Sequence, residues 1–220
     1  MKLISSCCWL AAFLVAVGPG VSTAAQLTPG KDYRLIKPAQ PTESGNKVEV
    51  LEFFWYGCPH CNNLQAPLHT WLKQKPADVE FRRVAAVLGD SWLPLTRAYY
   101  ALDAMGLVDK LHYAVFAAIH EQHLRLSDPR VLADWVARQG VDRQKFMDTY
   151  NSFGVLSRAR NAVEMTRSYD IPGTPAITVD GKYLVAPSMA VKADGNVDYD
   201  RFLTLLNQVI AMARKERSGK

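Results

Sequence analysis

The chain has 220 residues, 49% of them hydrophobic and 21% charged, with a mean hydropathy of −0.09; neither a disordered polyelectrolyte nor a polytopic membrane protein has that balance. The formal net charge is +5, one unit of which belongs to Lys2 near the start of the chain. Lys and Arg are scattered rather than interleaved with aromatics, so no nucleic-acid-binding stripe is predicted.

Residues 1–25 read as a secretory signal, with Lys2 as the positive end, an apolar run over 9–17, and Ser22, Thr23, Ala24 and Ala25 as the small residues of a cleavage site. A membrane anchor is the alternative, but Gly18, Pro19 and Gly20 break the run well short of the roughly 20 apolar residues a span requires. Export is therefore expected, and Cys7 and Cys8, which precede the apolar run, leave with the leader. The mature chain then holds two cysteines, Cys58 and Cys61.

After the leader, residues 47–56 form a β-prone run dense in Val, Phe, Trp and Tyr, which predicts a central strand. Glu52 interrupts it, and a carboxylate in a buried strand is costly unless paired, protonated or hydrated. A helix is predicted from Cys58-Pro59, since proline suits the first helical turn and Leu64, Leu68, Trp71 and Leu72 recur at helical spacing; Pro67 should kink it. Residues 79–87 read as a second strand, parallel to the first across a helical crossover. From Trp92 to about Asp170 the pattern is helical, with stops at Gly106, Gly140 and Gly154 and a Ser127-Asp128-Pro129 start signal. Residues 176–179 and 182–185 flank Asp180-Gly181, a hairpin turn, and a last amphipathic helix follows Asp198. The order is βαβ, helical block, ββα: an α/β (α+β) protein with a mixed central sheet. Its parts are a first sheet segment over 26–88, an all-helical insertion over 89–162 and a second sheet segment over 163–220.

A disulfide between Cys58 and Cys61 would close almost no loop, so it adds little chain-entropy stabilisation and its purpose is predicted to be chemical. A small staple is the plainer alternative, as is a zinc site drawing on His60 and on His120 and His123. At the start of a helix, Cys58 would face unpaired backbone N–H groups and the positive end of the helix dipole, so its thiolate is favoured. A protonated His60 would add to that. Cys61, a turn further in, would be shielded and suited to attack a mixed disulfide formed at Cys58.

The segment FFWYGCPHC resembles the active site of the DsbA family of bacterial thiol:disulfide interchange proteins. The Pro59-His60 dipeptide is its specific part, and the helical block, the Thr174-Pro175 step and the leader extend the likeness over nearly the whole mature chain. That resemblance implies a thioredoxin-like fold with an inserted helical domain. It further implies a periplasmic enzyme that donates its disulfide to reduced or unfolded exported proteins and is reoxidised by a DsbB-like quinone-linked membrane partner. No cofactor beyond the redox-active Cys58-Cys61 disulfide and no metal is implied, and monomer is the default state. By position, Cys58 resembles the nucleophile, Cys61 the resolving thiol, and Pro59 with His60 the tuning dipeptide. Pro175 resembles the family's cis-proline, with Thr174 before it offering backbone hydrogen bonds to substrate; the residues alone fit cis or trans. Glu52 resembles the buried acid beneath the site, where a hydrated strand carboxylate is the alternative. Arg83 stands where the family often has lysine; arginine keeps its proton, which tells against proton shuttling by that pair. Two rival readings use the same sulfurs: a periplasmic dithiol reductant, and a peptide-binding or metal-carrying module.

Overall fold

Alternating side chains of one strand build both cores of the protein. In the computed structural model, which describes residues 27–219, strand β2 (Val48–Phe54) is buried along its whole length. The leader expected over residues 1–25, with Cys7 and Cys8, lies outside the described residues. Preceding β2 is a two-residue strand, β1 (Arg34–Leu35); following it come helix α1 (Pro59–Gln74) and strand β3 (Val79–Ala85). Next are five helices: α2 (Leu93–Ala104), α3 (Val108–His120), α4 (Pro129–Arg138), α5 (Arg143–Tyr150) and α6 (Phe153–Ser168). Strands β4 (Ala176–Val179) and β5 (Tyr183–Val185) then lead into helix α7 (Tyr199–Ser218).

The five strands form one mixed sheet in the order β1-β5-β4-β2-β3. Only β2 and β3 are parallel, as the helical crossover between them requires, and their register sets Glu52 opposite Arg83. The turn between β4 and β5 holds Asp180 at φ 56° and Gly181 at φ 65°, the two left-handed positions the hairpin sequence predicts. Gly181 is required for a second reason: a Cβ there would lie 2.1 Å from the Gln40 carbonyl oxygen. β1, which the sequence did not reveal, completes the edge by pairing with β5.

Val48 and Val50 of β2 pack with Leu64, Leu68 and Trp71 of α1 and Phe202, Leu206 and Val209 of α7. Leu51 and Phe53 join the second cluster, which extends through Tyr99, Leu102, Phe116, Trp135 and Phe146 into the helical block. Each such side chain contributes roughly 1.5–3 kcal/mol by leaving water, so the helices are fused to the sheet by continuous apolar packing. Within the block, Gly106 (φ 67°) and Gly140 (φ 81°) end helices as expected, and Asp128 caps α4 by accepting from the Arg130 N–H at 2.8 Å. Gly154 differs from expectation: it lies in the first turn of α6, not at a helix end. Asn151 and Ser152 make that break, the Ser152 hydroxyl accepting from the Val155 N–H. α6 passes residue 162 and ends at Ser168, while α1 runs through Pro67 to Gln74.

Candidate active site

Cys58 is the N-cap of α1, with extended backbone angles (φ −88°, ψ 117°), and Pro59 opens the helix with its fixed φ and no N–H to satisfy. No acidic residue stands in the first turn, so no side-chain carboxylate competes for the free amides there. The next turn carries Cys61 inward. Both sulfurs are free thiols; Cys58 is 8% exposed and Cys61 fully buried.

Their environments push the two acidities apart. The Cys61 thiol, donating to the Cys58 sulfur, is the main cause that brings Cys58 down to about 5; burial opposes this, and the Thr174 side chain and the backbone N–H groups of Cys61 and His60 assist. Cys61 moves the opposite way. Burial pushes it well above an ordinary thiol, reinforced by its bond to Cys58 and by the Cys58 charge. As a thiol, Cys58 donates to the Thr174 carbonyl at 3.2 Å, a bond it surrenders on ionising; the donors around it outweigh that loss. The Thr174-Pro175 peptide is cis and enters β4, which pairs antiparallel with β2 and so brings Thr174 to the redox pair. Lys37-Pro38, which no sequence signal marked, is cis as well. His60 is exposed, and its backbone N–H is its contribution at the Cys58 sulfur.

Linked to the Cys61 carbonyl through the Gln65 amide, Glu52 is fully buried. Arg83 Nε donates to its Oε2 at 2.9 Å and Gln65 Nε2 to its Oε1 at 3.3 Å. Burial dominates and holds this carboxyl above its usual range against the pull of Arg83 and Gln65. The hydrated alternative for Glu52 is thereby set aside: it is a paired, desolvated acid.

A short strand-end sequence also shapes the rim. The Trp55 indole stacks on Trp92 at 4.3 Å between centroids, spanning the sheet domain and the start of the helical block. Tyr56, in contrast, is core. Gly57 is glycine because a Cβ there would lie 2.4 Å from the Trp55 ring.

Residues 49–207 match the model of the DSBA-like thioredoxin domain. The chain belongs to the DsbA-like thioredoxin family. The DsbA of Burkholderia cepacia, a thiol:disulfide interchange protein, is 38% identical over 199 residues, covering 88% of this chain and 94% of that protein. Its counterpart in Bordetella parapertussis is 37% identical over 206 residues, covering 94% and 96%. Among solved structures, the DsbA of Pseudomonas aeruginosa superposes with a TM-score of 0.81 at 34% identity, over 87% of this chain and 97% of that one. The Xylella fastidiosa oxidoreductase DsbA gives 0.77 at 32%, over 86% and 98%.

In this DsbA-like chain Glu52 also has buried polar neighbours that no sequence motif marked. Gln65, His112 and Tyr56 join Glu52 in one buried hydrogen-bonded chain. The available signal was a polar residue at an apolar helix position: His112 sits on the buried face of α3 with Leu111, Val115 and Phe116. Of the two distant histidines in the zinc alternative, one is hydrogen-bonded and the other exposed. His120 Nε2 bonds the Tyr56 carbonyl at 2.8 Å and His123 is an exposed residue at φ 55°.

Proposed function

We propose that this thiol:disulfide oxidoreductase runs in the oxidising direction in the periplasm, after export by a cleaved leader, and gives its Cys58-Cys61 disulfide to reduced, newly exported proteins. A substrate thiolate attacks the Cys58 sulfur; a substrate-Cys58 bond forms, the Cys58-Cys61 bond breaks, and Cys61 leaves as a thiolate that takes up a proton. The substrate's second thiolate then attacks its own sulfur in the mixed disulfide, closing the substrate disulfide and expelling Cys58. Two electrons pass from substrate to the cysteine pair. Reoxidation proceeds through another mixed disulfide at Cys58, which Cys61 resolves, with a DsbB-like quinone-linked membrane protein receiving the electrons.

The observation that carries this direction is the opposed acidity of the two sulfurs, with Cys58 at about 5. A group that stable as an anion is a good leaving group, so the second substrate attack is fast and the reduced enzyme is the low-energy product. Pro59 fixes the helix start and His60 supplies an N–H at the sulfur. Thr174 and Pro175 offer an extended peptide a backbone partner next to Cys58, and Glu52 with Arg83 sets the field beneath the pair. The helical stretch 89–162 acts as an insertion between the two sheet segments 26–88 and 163–220, and the monomer suffices for the chemistry. Equilibration of the pair with glutathione tests the direction: an oxidase stays reduced in buffers that oxidise a reductant. Oxidation of a reduced model protein that survived Cys58→Ser would end the enzyme reading.

A further inference from the structure

The Gln65 side chain is the junction of the buried polar chain. Its nitrogen donates to the Cys61 carbonyl at 2.9 Å and to Glu52 Oε1 at 3.3 Å, which uses both of its N–H groups on acceptors. Its oxygen must therefore accept, and 3.0 Å away stands Nε2 of His112. That nitrogen carries a proton, and in the neutral ring that burial favours, Nδ1 of His112 is bare and accepts from the Tyr56 hydroxyl at 3.0 Å. With His112 kept neutral by burial and by Arg83, the hydrogen-bond geometry admits one tautomer and one amide orientation. Were the Gln65 amide reversed, its oxygen would face a carboxylate oxygen and a carbonyl.

We propose that His112, from α3 of the helical block, is a positioning residue of the redox site: it locks the Gln65 amide with its nitrogen toward Glu52 and the Cys61 carbonyl, and so keeps the charge beneath the cysteines under the control of the inserted helices. The Glu52 carboxyl and the Cys61 carbonyl favour the same orientation, and His112 adds the donor that holds the Gln65 oxygen on the opposite side. His112 is enclosed by Phe54, Tyr56, Tyr99, Tyr113 and Phe116, with Arg83 as the charged group acting on it. Around Glu52, the charged and titratable neighbours are Arg83, Tyr56, Tyr99 and Tyr113. Burial and Arg83 hold His112 well below the usual histidine range, which keeps it neutral.

The test follows the carbon-13 resonance of the Glu52 carboxyl, assigned by its loss in Glu52→Gln, through a pH titration of the reduced full chain. In His112→Phe the aromatic volume stays and the lock is lost, so the Glu52 midpoint should rise by roughly one pH unit, the size of one hydrogen bond to a charged group. Gln65→Leu should raise it similarly, and adding His112→Phe to Gln65→Leu should raise it no further, because His112 acts through Gln65. Tyr56→Phe, which keeps the fold's packing and frees the imidazole tautomer, should give a smaller rise in the same direction and carries the test if His112→Phe does not fold. His112→Gln, whose amide can donate, should restore part of the native midpoint. An unchanged midpoint in the single variants, or full additivity in the double, overturns the proposal. The kinetic counterpart rests on Cys61 as resolving thiol: the pH profile for release of glutathione from its mixed disulfide with Cys58 should move with the Glu52 midpoint. Absence of any release in the unsubstituted chain would count against the functional reading while leaving the spectroscopic result standing.

Discussion

Sγ of Cys58 lies 3.2 Å from the carbonyl oxygen of Thr174, a residue 116 positions later in the chain. Local sequence creates the helix N-terminus that stabilises the sulfur, and the antiparallel pairing of β2 with β4 brings the second wall. Replacing Thr174 with Val removes one of the side chains that lower the Cys58 pKa, so its titration midpoint should rise, by about one pH unit at most. Absorbance of the thiolate across a pH series measures it; a midpoint that did not move would detach Thr174 from the tuning of Cys58.

The same depressed acidity links redox state to stability. In the unfolded chain Cys58 ionises as an ordinary thiol near pH 8.5–9, and in the folded reduced chain near 5. Its contribution is therefore fully present above the unfolded value and is lost as pH falls through about 5. Cys61, held well above the usual range, is neutral at pH 7 in both states and adds nothing there. The oxidised chain has no thiolate to stabilise. The reduced form should accordingly melt higher than the oxidised form at pH 7, with the gap narrowing toward pH 4. Thermal denaturation of both forms decides this, and a higher-melting oxidised form at neutral pH would contradict it.

Division of labour between the sulfurs predicts different lesions. Cys58→Ser should abolish disulfide transfer to a reduced model protein. Cys61→Ser should still form mixed disulfides when offered a disulfide-bonded model protein: the Cys58 thiolate attacks that disulfide and expels the protein's other sulfur as a thiolate, and with no Cys61 to resolve them these species should accumulate and be resolved on non-reducing gels. Equal loss of mixed disulfides in both variants would show that Cys61 is needed for the first attack.

Arg83 faces Glu52 across the parallel strands, with Glu52 fully buried and the Nε-Oε2 bond 2.9 Å long. Substituting Arg83 with Leu leaves an uncompensated buried carboxylate and should cost about 3–5 kcal/mol at pH 7. The folded Glu52 carboxyl already sits above its unfolded range. Its burden is therefore fully present above the folded value and disappears below the unfolded one, so the cost of Arg83→Leu should shrink as pH falls. Urea unfolding at two pH values checks it.

Gly57→Ala should destabilise by roughly 1–3 kcal/mol, because the added Cβ would displace the Trp55 ring and with it the stack on Trp92. Loss of the coupled indole signal in near-ultraviolet circular dichroism is the expected signature.

What the sequence made legible was what is encoded locally. The run of β2, the helix start at Pro59, the glycine stops at residues 106 and 140, and the Asp180-Gly181 turn each state their own conformation through side-chain sterics. The cysteine spacing and its flanking residues carried the family resemblance in the same way. Gly154 was misplaced because a glycine near a helix end reads alike at either terminus, and the capping hydroxyl of Ser152 settles which. Hidden from one-dimensional reading were the relationships made by tertiary packing: the short edge strand β1, the stack of Trp55 on Trp92, and the chain from Glu52 through Gln65 and His112 to Tyr56. Gln65 looks like one more polar helix residue, and only the approach of α3 to α1 makes it a junction.

The oxidising direction depends most on the anionic preference of one sulfur, and the ultraviolet titration of the Cys58 thiolate in the reduced chain, with Cys58→Ser as baseline, tests it most directly. A midpoint of about 5 is the predicted result. A midpoint near the ordinary thiol range of about 8.5 would contradict it.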